Sequence, residues 1–385
     1  MADPTTSKYG SLGVDVDKKG IEELKAITND LFPQAFCSVT RHPASNDRGM
    51  VLHEDGVGSK TIIAYLCNRE TGERRWFETL SDDVIAMNVD DVICVGAKPI
   101  TFSDYIALNS FNVDRGALLS ALAKGFAGTF RKLNSLGSPL SFCGGETADL
   151  PDVVGTFDLS GTVYAEVPLS EVITGDGISP GDIIVGIRSG GSCSYETGFN
   201  SGLMCNGITL ARHSLLSAEY SKQYPEISSG GKKYTGRYRL DSEPEGLASG
   251  LYEALLSPTR LFLPIIADIL GKIRPQALVH NTGGGLTKCR RLGKNILYIK
   301  DQLPEPDPIF SLIKRESGIG WDEMYRDFNM GVGFEVIVRK GEEETVLRSA
   351  EKYGVGAQVI GRCERQDTGN AVLIESNEGS FVIKS

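Results

Sequence analysis

Apolar residues recur along this chain with two periods, and the periods alternate. Ile21, Leu24, Ile27 and Leu31 stand three or four apart, so the spacing predicts a short amphipathic helix from Gly20 to about Phe32. Gly49-Met50-Val51-Leu52-His53 reads as a strand running into a glycine loop. Val84, Ile85, Val89, Val92 and Ile93 return to helical spacing, with Ser81-Asp82-Asp83 expected to cap that helix and Gly96 and Pro99 to end it. Asp83 and Asp90, seven residues apart, fall almost on one face of it. Ile100 to Leu108 reads as a strand and Val113 to Leu133 as a second amphipathic helix. Leu140-Ser141-Phe142-Cys143 is a strand expected to break at Gly144-Gly145, and Val153 to Val167 alternates through Phe157, Leu159, Gly161 and Val163. This succession of strand and helix predicts an α/β or α+β protein.

At 385 residues the chain exceeds one ordinary core, which predicts two domains. The turn-rich passage around Ser170 to Asp182, ahead of the strand Ile183-Ile184-Val185-Gly186-Ile187, places the division at residues 1–172 and 173–385. The polar, Gly-, Lys- and Tyr-rich stretch from Ser221 to Gly246 reads as an inserted loop in the second domain.

Composition narrows the function. A formal net charge of −10 counts against a nucleic-acid partner, which needs clustered Lys and Arg. The eight cysteines form no C-x-x-C pair, which gives neither a zinc framework nor a disulfide pattern. They read as reduced thiols, Cys94 and Cys143 in the core. Met1-Ala2-Asp3-Pro4-Thr5-Thr6-Ser7 lacks the features of a signal peptide, and no stretch approaches the roughly 20 apolar residues of a membrane span. The expectation is a soluble cytoplasmic protein with no membrane partner.

Three acidic, glycine-bearing clusters carry the candidate chemistry. They are Glu54-Asp55-Gly56-Val57-Gly58-Ser59-Lys60, Asn88-Val89-Asp90-Asp91 and Gly144-Gly145-Glu146-Thr147. Binding ATP through magnesium needs carboxylates for the metal and bare backbone amides for the phosphates. A lysine suits the charge that develops during phosphoryl transfer. Each cluster also has a plainer reading: a glycine turn, a solvated helix face, a tight strand-to-loop bend. The Gly58-Ser59-Lys60 order matches a Walker loop only loosely. In the second half, His280-Asn281-Thr282-Gly283-Gly284-Gly285 places three glycines together after an apolar segment, which suits close approach to an anion or substrate. His280 is one of only four histidines and reads either as a structural group or as an acid, base or ligand. Pro258-Thr259-Arg260 offers an arginine near a helix start, a candidate anion contact. Phe328-Asn329-Met330-Gly331-Val332-Gly333 repeats the pairing of glycines with an amide side chain.

Taken in order, these runs resemble the phosphoribosylformylglycinamidine cyclo-ligase family, the aminoimidazole ribonucleotide synthetases. The resemblance runs from Tyr9 to about Val336. It begins at Gly13-Val14-Asp15-Val16-Asp17 and ends in the family-specific Glu323-Met324-Tyr325-Arg326-Asp327-Phe328-Asn329-Met330-Gly331-Val332-Gly333. It implies a two-domain ATP-binding fold whose N-terminal sheet pairs across a homodimer. It also implies ATP-dependent closure of the imidazole ring of aminoimidazole ribonucleotide, in purine biosynthesis, through an iminophosphate. By carry-over, Asp55, Asp91 and Glu146 would hold Mg2+, and Lys60 would neutralise phosphate. Gly56, Gly58, Ser59, Gly144 and Gly145 would line the nucleotide. Lys60, Asp91 and His280 would be catalytic, and Asn206, Thr282, Gly283 and Asn329 would face the small-molecule substrate.

The chain departs from the family pattern at three places. Glu54 stands where Thr is usual, Asp90 where Asn is usual, and Met204-Cys205-Asn206-Gly207 where His-Ser-Asn-Gly is usual. Selenophosphate synthetase, of the same superfamily, is disfavoured because Cys37 is followed by Ser38-Val39. A related kinase or cyclase on another metabolite, or an idle nucleotide-binding relative, are the alternatives.

Overall fold

A computed structural model of the chain describes residues 7–14, 20–228 and 234–384. Its strands form two separate sheets. The first contains β1 (Thr40–Arg41), β2 (Arg48–Gly56), β3 (Lys98–Leu108), β4 (Ser141–Asp149) and β5 (Phe157–Pro168), in the spatial order β1-β2-β5-β3-β4. The second contains β6 (Ile183–Arg188), β7 (Ala277–His280), β8 (Ile296–Lys300), β9 (Val332–Val338), β10 (Ala357–Arg365), β11 (Ala371–Ser376) and β12 (Gly379–Lys384), in the order β12-β11-β8-β10-β6-β9-β7. The mixed α/β class expected from the alternating periods is what forms. Part of the Gly13–Asp17 run and of the 221–246 stretch lies outside the described residues.

Within the first sheet only β3 and β4 run parallel, joined by the Arg115–Ser135 helix, because a parallel pair needs a long crossover. Asp114 caps that helix by accepting the Ala117 amide. On β5 buried residues alternate strictly with more exposed ones, so one face of the sheet packs on helices and the other faces outwards. β9 is buried at all seven positions, as a strand covered on both faces must be.

The Leu80–Val92 helix lies between the sheets, packed on β2 and β5 of the first, and on β7 and the Leu263–Leu270 helix of the second half. Every residue of it but Asp82 is buried, which explains why Asp90 and Asp91 cannot be a solvated face. Ser81 and Asp83 are therefore not its caps: both are inside the helix, Ser81 donating to the Leu122 carbonyl.

Three other expectations change. The helix expected from Gly20 to about Phe32 spans only Ile21–Lys25, leaving Leu24 and Ile27 exposed. Asp30 Oδ1 accepts the amides of Phe32 and Val39, an Asx turn that ends helical spacing before Pro33. β4 does not break at Gly144-Gly145 but continues through them. A Cβ on Gly145 would come within 1.7 Å of Asp104 Oδ1, so glycine is what lets β4 pass beside β3 there. Cys94 is buried as expected, whereas Cys143 is exposed on the edge strand.

Candidate functional site at the junction of the two sheets

Three aspartates of the Leu80–Val92 helix organise the junction. Asp83 Oδ1 accepts Lys60 Nζ at 2.8 Å and both the amide and hydroxyl of Thr259 at 2.7 Å. Lys60 Nζ also donates to the Ser257 carbonyl at 2.6 Å, and the Cys205 thiol donates to Asp83 at 3.3 Å. Lys60 and Asp83 have no exposed side-chain surface. One turn-pair further, Asp90 accepts the amides of Phe262 (3.0 Å) and Leu263 (2.7 Å), satisfying the start of the Leu263–Leu270 helix. The one-face placement of Asp83 and Asp90 thus has a purpose: together they clasp the Ser257–Leu263 segment.

This geometry alters two expectations. Lys60, expected at the phosphate, is engaged inside the clasp instead. Arg260, offered as an anion contact, is buried with Nη1 on the Arg188 and Gly190 carbonyls and a two-pronged pairing to Glu196. Its donors are spent on the fold.

Asp91 sits in different company. Its Oδ1 accepts from His280 Nδ1 at 2.7 Å, and its Oδ2 lies 3.4 Å from His53 Nε2 and 4.0 Å from Lys288 Nζ. Burial pushes the Asp91 carboxyl up, but Lys288 and the two histidines outweigh it and hold it well below the usual carboxylate range. Burial holds His280 below its ordinary value despite Asp91, so the ring is neutral. With Nδ1–H on Asp91, its Nε2 is an acceptor, buried and without a partner among the described residues. The ring packs against Phe262 and Phe334 and has no exposed surface, which makes it an orienting group for Asp91.

The loop after His280 brings Thr282, Gly283 and Lys288 together. Lys288 Nζ donates to Thr282 Oγ1 at 2.5 Å and stands 4.3 Å from the centre of the Phe36 ring. Gly283 is exposed, with open space where a Cβ would stand. Beneath this loop, fully buried Lys300 and Glu335 pair at 2.5 Å, Lys300 also donates to the Leu286 carbonyl, and Asn281 donates to Glu335. Asn329 turns inward: Ser189 Oγ and the Gly331 amide donate to its Oδ1, and its Nδ2 donates to the Gly202 carbonyl. Its amide is fully engaged within the fold and has no group left for a substrate. Asn206 differs, because its Nδ2 has no partner among the described residues.

The expected metal ligands are split by the sheet. Cross-strand rows run Asp55–Gly161–Asp104–Gly145 on the face packed against helices and Gly56–Ser160–Tyr105–Glu146 on the other. Asp55 and Glu146 therefore project from opposite faces of strands that are three spacings, about 14 Å, apart. Asp55, Asp91 and Glu146 do not fit one magnesium ion within a single chain. Glu54, on the outer face, accepts from Ser160 and Thr162 at 3.3 Å. Ser59 shares a hydrogen bond with Thr209 at 2.8 Å, and Gly58 is exposed at positive φ.

Sequence reasoning missed His53, Cys37 and Lys288. Only Lys288 left a signal, a cation six residues after Thr282 on the glycine loop. The Met204-Cys205 change has a structural reading: Cys205 donates to Asp83 and lies 3.4 Å from Thr259 Oγ1, joining the clasp. His213 does not stand in for the absent histidine; it is buried, its ring stacked on Tyr234.

Comparison with known proteins places this junction in a family. Residues 36–167 match the N-terminal domain, and 306–374 the C-terminal domain, of AIR synthase related proteins. The phosphoribosylformylglycinamidine cyclo-ligase of Methanocaldococcus jannaschii is 38% identical over 82% of this chain and 78% of its own. That of Methanococcus maripaludis strain C5 is 32% identical over 98% and 99%. The chain belongs to the phosphoribosylformylglycinamidine cyclo-ligase family. The fold is shared more widely. The hydrogenase maturation protein HypE, in a structure in complex with ATP, superposes with a TM-score of 0.56 over 98% of this chain and 92% of its own, at 15% identity. Asp90, where the resemblance leads to an expectation of Asn, stands at a clasp position, while its neighbour Asp91 sits among His280 and His53.

Proposed function

We propose that this protein closes the imidazole ring of aminoimidazole ribonucleotide from formylglycinamidine ribonucleotide, consuming ATP, as a cytoplasmic enzyme of purine biosynthesis. The observation that carries this reading is relatedness at 32% identity to a cyclo-ligase along 98% of the chain. The formyl oxygen is a poor leaving group. Transfer of the ATP γ-phosphoryl to it gives an iminophosphate; the neighbouring amidine nitrogen then attacks that carbon, and phosphate departs. The protein's tasks are to hold two reactants in line and to offset charge on the moving phosphoryl.

Lys288 is the cation for that second task, in place of Lys60, because it is held by Thr282 at the edge of the exposed Gly283 turn. His280 fixes the rotation of Asp91, and Asp91 in turn holds Lys288 and His53 in place. Asn206 offers a free amide to the substrate. Magnesium accompanies ATP in this reading, but Asp55, Asp91 and Glu146 do not serve as one ligand set, so no step is assigned to it. The outer sheet face, with exposed Leu52 and Tyr105, is the surface for pairing with a second copy, and residues 1–172 and 173–385 are the two domains.

The test is turnover of purified protein with formylglycinamidine ribonucleotide, ATP and Mg2+, following ADP and imidazole together. Equal release of both supports the reading. ADP release without imidazole moves the substrate to another metabolite, and nucleotide-raised melting without turnover supports an idle relative.

A further inference from the structure

We infer that Cys37, His53 and Asp91 form a binding site for a zinc-class divalent cation. Cys37 Sγ, a ring nitrogen of His53 and a carboxylate oxygen of Asp91 all lie within 4.8 Å of one another. Zinc takes sulfur at about 2.3 Å, imidazole nitrogen at about 2.0–2.1 Å and carboxylate oxygen at about 2.0–2.2 Å in a tetrahedron. Those bond lengths set the nitrogen-to-oxygen edge of the tetrahedron at roughly 3.4 Å. The observed His53 Nε2 to Asp91 Oδ2 separation is 3.4 Å. It exceeds the ordinary N–H···O range and matches that edge.

The hydrogen bonds behind the three groups point the same way. Asn88 Nδ2 donates to the carbonyls of Asp55 (3.1 Å) and Val84 (2.8 Å), which fixes its Oδ1 as an acceptor. That oxygen faces His53 Nδ1 at 3.2 Å, so Nδ1 carries the proton. Nε2 faces the carboxylate oxygen of Asp91, which draws a cation to it and raises the ring's affinity for a proton despite burial; a metal ion would take that proton's place. Two lone pairs at that distance require a cation between them, a proton or a metal. A histidine whose far N–H is tied to an oxygen is the usual arrangement behind a metal ligand. His280 performs the same service for Asp91, taking Oδ1 and leaving Oδ2 towards His53.

Cys37 supplies the selectivity. Its thiol is buried and donates to the Asp91 carbonyl at 3.3 Å. On binding, the S–H proton and the proton held between His53 and Asp91 leave to solvent and the thiolate takes the metal, so protons are released and no redox partner is needed. Sulfur and imidazole donors favour Zn2+ and Co2+, whereas Mg2+ demands oxygen ligands. Lys288, 4.0 Å from Asp91 Oδ2, is the competitor the metal displaces. Since Asp91 and Lys288 also belong to the proposed phosphate site, an ion here stops turnover; that consequence alone rests on the functional reading above.

The experiment is titration of the chelator-treated full-length protein with Co2+, read by thiolate-to-cobalt charge-transfer absorption. The expected result is a band saturating at one equivalent, abolished by Zn2+ in excess, absent in Cys37→Ser, and weakened at least tenfold in Cys37-intact His53→Gln. Circular dichroism and melting of both variants establish that they are folded. No band in the wild type, or a band that survives Cys37→Ser, overturns the site. Zinc inhibition is then measured as a ratio to each variant's own rate, and Cys37→Ser is expected to lose it. A cobalt band with no zinc inhibition upholds the site and overturns the role of Asp91 in turnover.

Discussion

The clasp and the cage use carboxylates from one helix under similar burial, yet they are built from different partners. Asp83 and Asp90 are met by backbone amides, a threonine and a lysine that has no exposed surface. Asp91 is met by side chains alone, the rings of His280 and His53 and the ammonium of Lys288, the last at 4.0 Å. Partners anchored in the backbone make a joint; partners that are side chains alone make a site. Three acidic residues within nine positions thus divide between stability and chemistry.

The largest expected effect breaks the clasp. Lys60→Met leaves Asp83 buried and uncompensated, a loss of about 3–5 kcal/mol of stability. Urea denaturation checks it, and near-wild-type stability would show that the clasp charge is dispensable. Lys288→Met does the reverse. It is expected to lower kcat by about 10²–10³-fold, the scale of removing one donor to a developing charge, while stability falls less than in Lys60→Met, because Lys288 stands 4.0 Å from Asp91 and the His280 bond to Asp91 remains. Steady-state kinetics beside a melt decides. If Lys60→Met proves catalytically dead but stable, and Lys288→Met the opposite, the two regions have been assigned the wrong way round.

A buried acid outside that helix sharpens the contrast because it has too few partners. Asp327 is 1% exposed, it pairs with half-exposed Arg326 at 3.2 Å, and its Oδ2 has no partner among the described residues. Burial pushes its carboxyl up to about 6, against the lowering by Arg326. The folded state therefore binds this proton more tightly than the unfolded chain between about pH 4 and pH 6, and stability falls as pH rises through that window. Asp327→Asn should remove a slope worth roughly 2–3 kcal/mol in total. Parallel denaturation curves at pH 4.5 and pH 7 measure it; an unchanged slope in the variant would place the titration elsewhere.

Much of this was legible in the chain. Hydrophobic period gave the Leu80–Val92 and Arg115–Ser135 helices and the strands β2, β3 and β6, because each buries one face or all faces against a neighbour. The seven-residue spacing of Asp83 and Asp90 was legible too, but not what it meets. Thr259 and Phe262 lie more than 170 residues away, and only the tertiary fold joins them. The same distance hid the cage: His53, Asp91 and His280 come from three separate elements. That the expected magnesium ligands do not converge within one chain was hidden for a subtler reason. Spacing along a strand shows which residues alternate, but which face meets which carboxylate depends on strand order, and β5 and β3 intervene between Asp55 and Glu146.

The finest distinction is between neighbours. Asp90→Asn keeps one oxygen acceptor for the Phe262 and Leu263 amides but places an amide group where the second oxygen stood. Against the loss of one cap bond stands a gain, because burial pushes the Asp90 carboxyl well above its usual range and a neutral side chain avoids burying that charge. The net change expected is about 1 kcal/mol or less, the lower range for a helix N-cap, with turnover retained. Asp91→Asn has no such compensation. An amide cannot offer two anionic oxygens to His280, His53 and Lys288 at once, so turnover should collapse while melting moves little. Assaying the two variants side by side measures rate and stability at adjacent positions of one helix. Equal loss of activity in both would mean that the clasp and the cage are one functional unit.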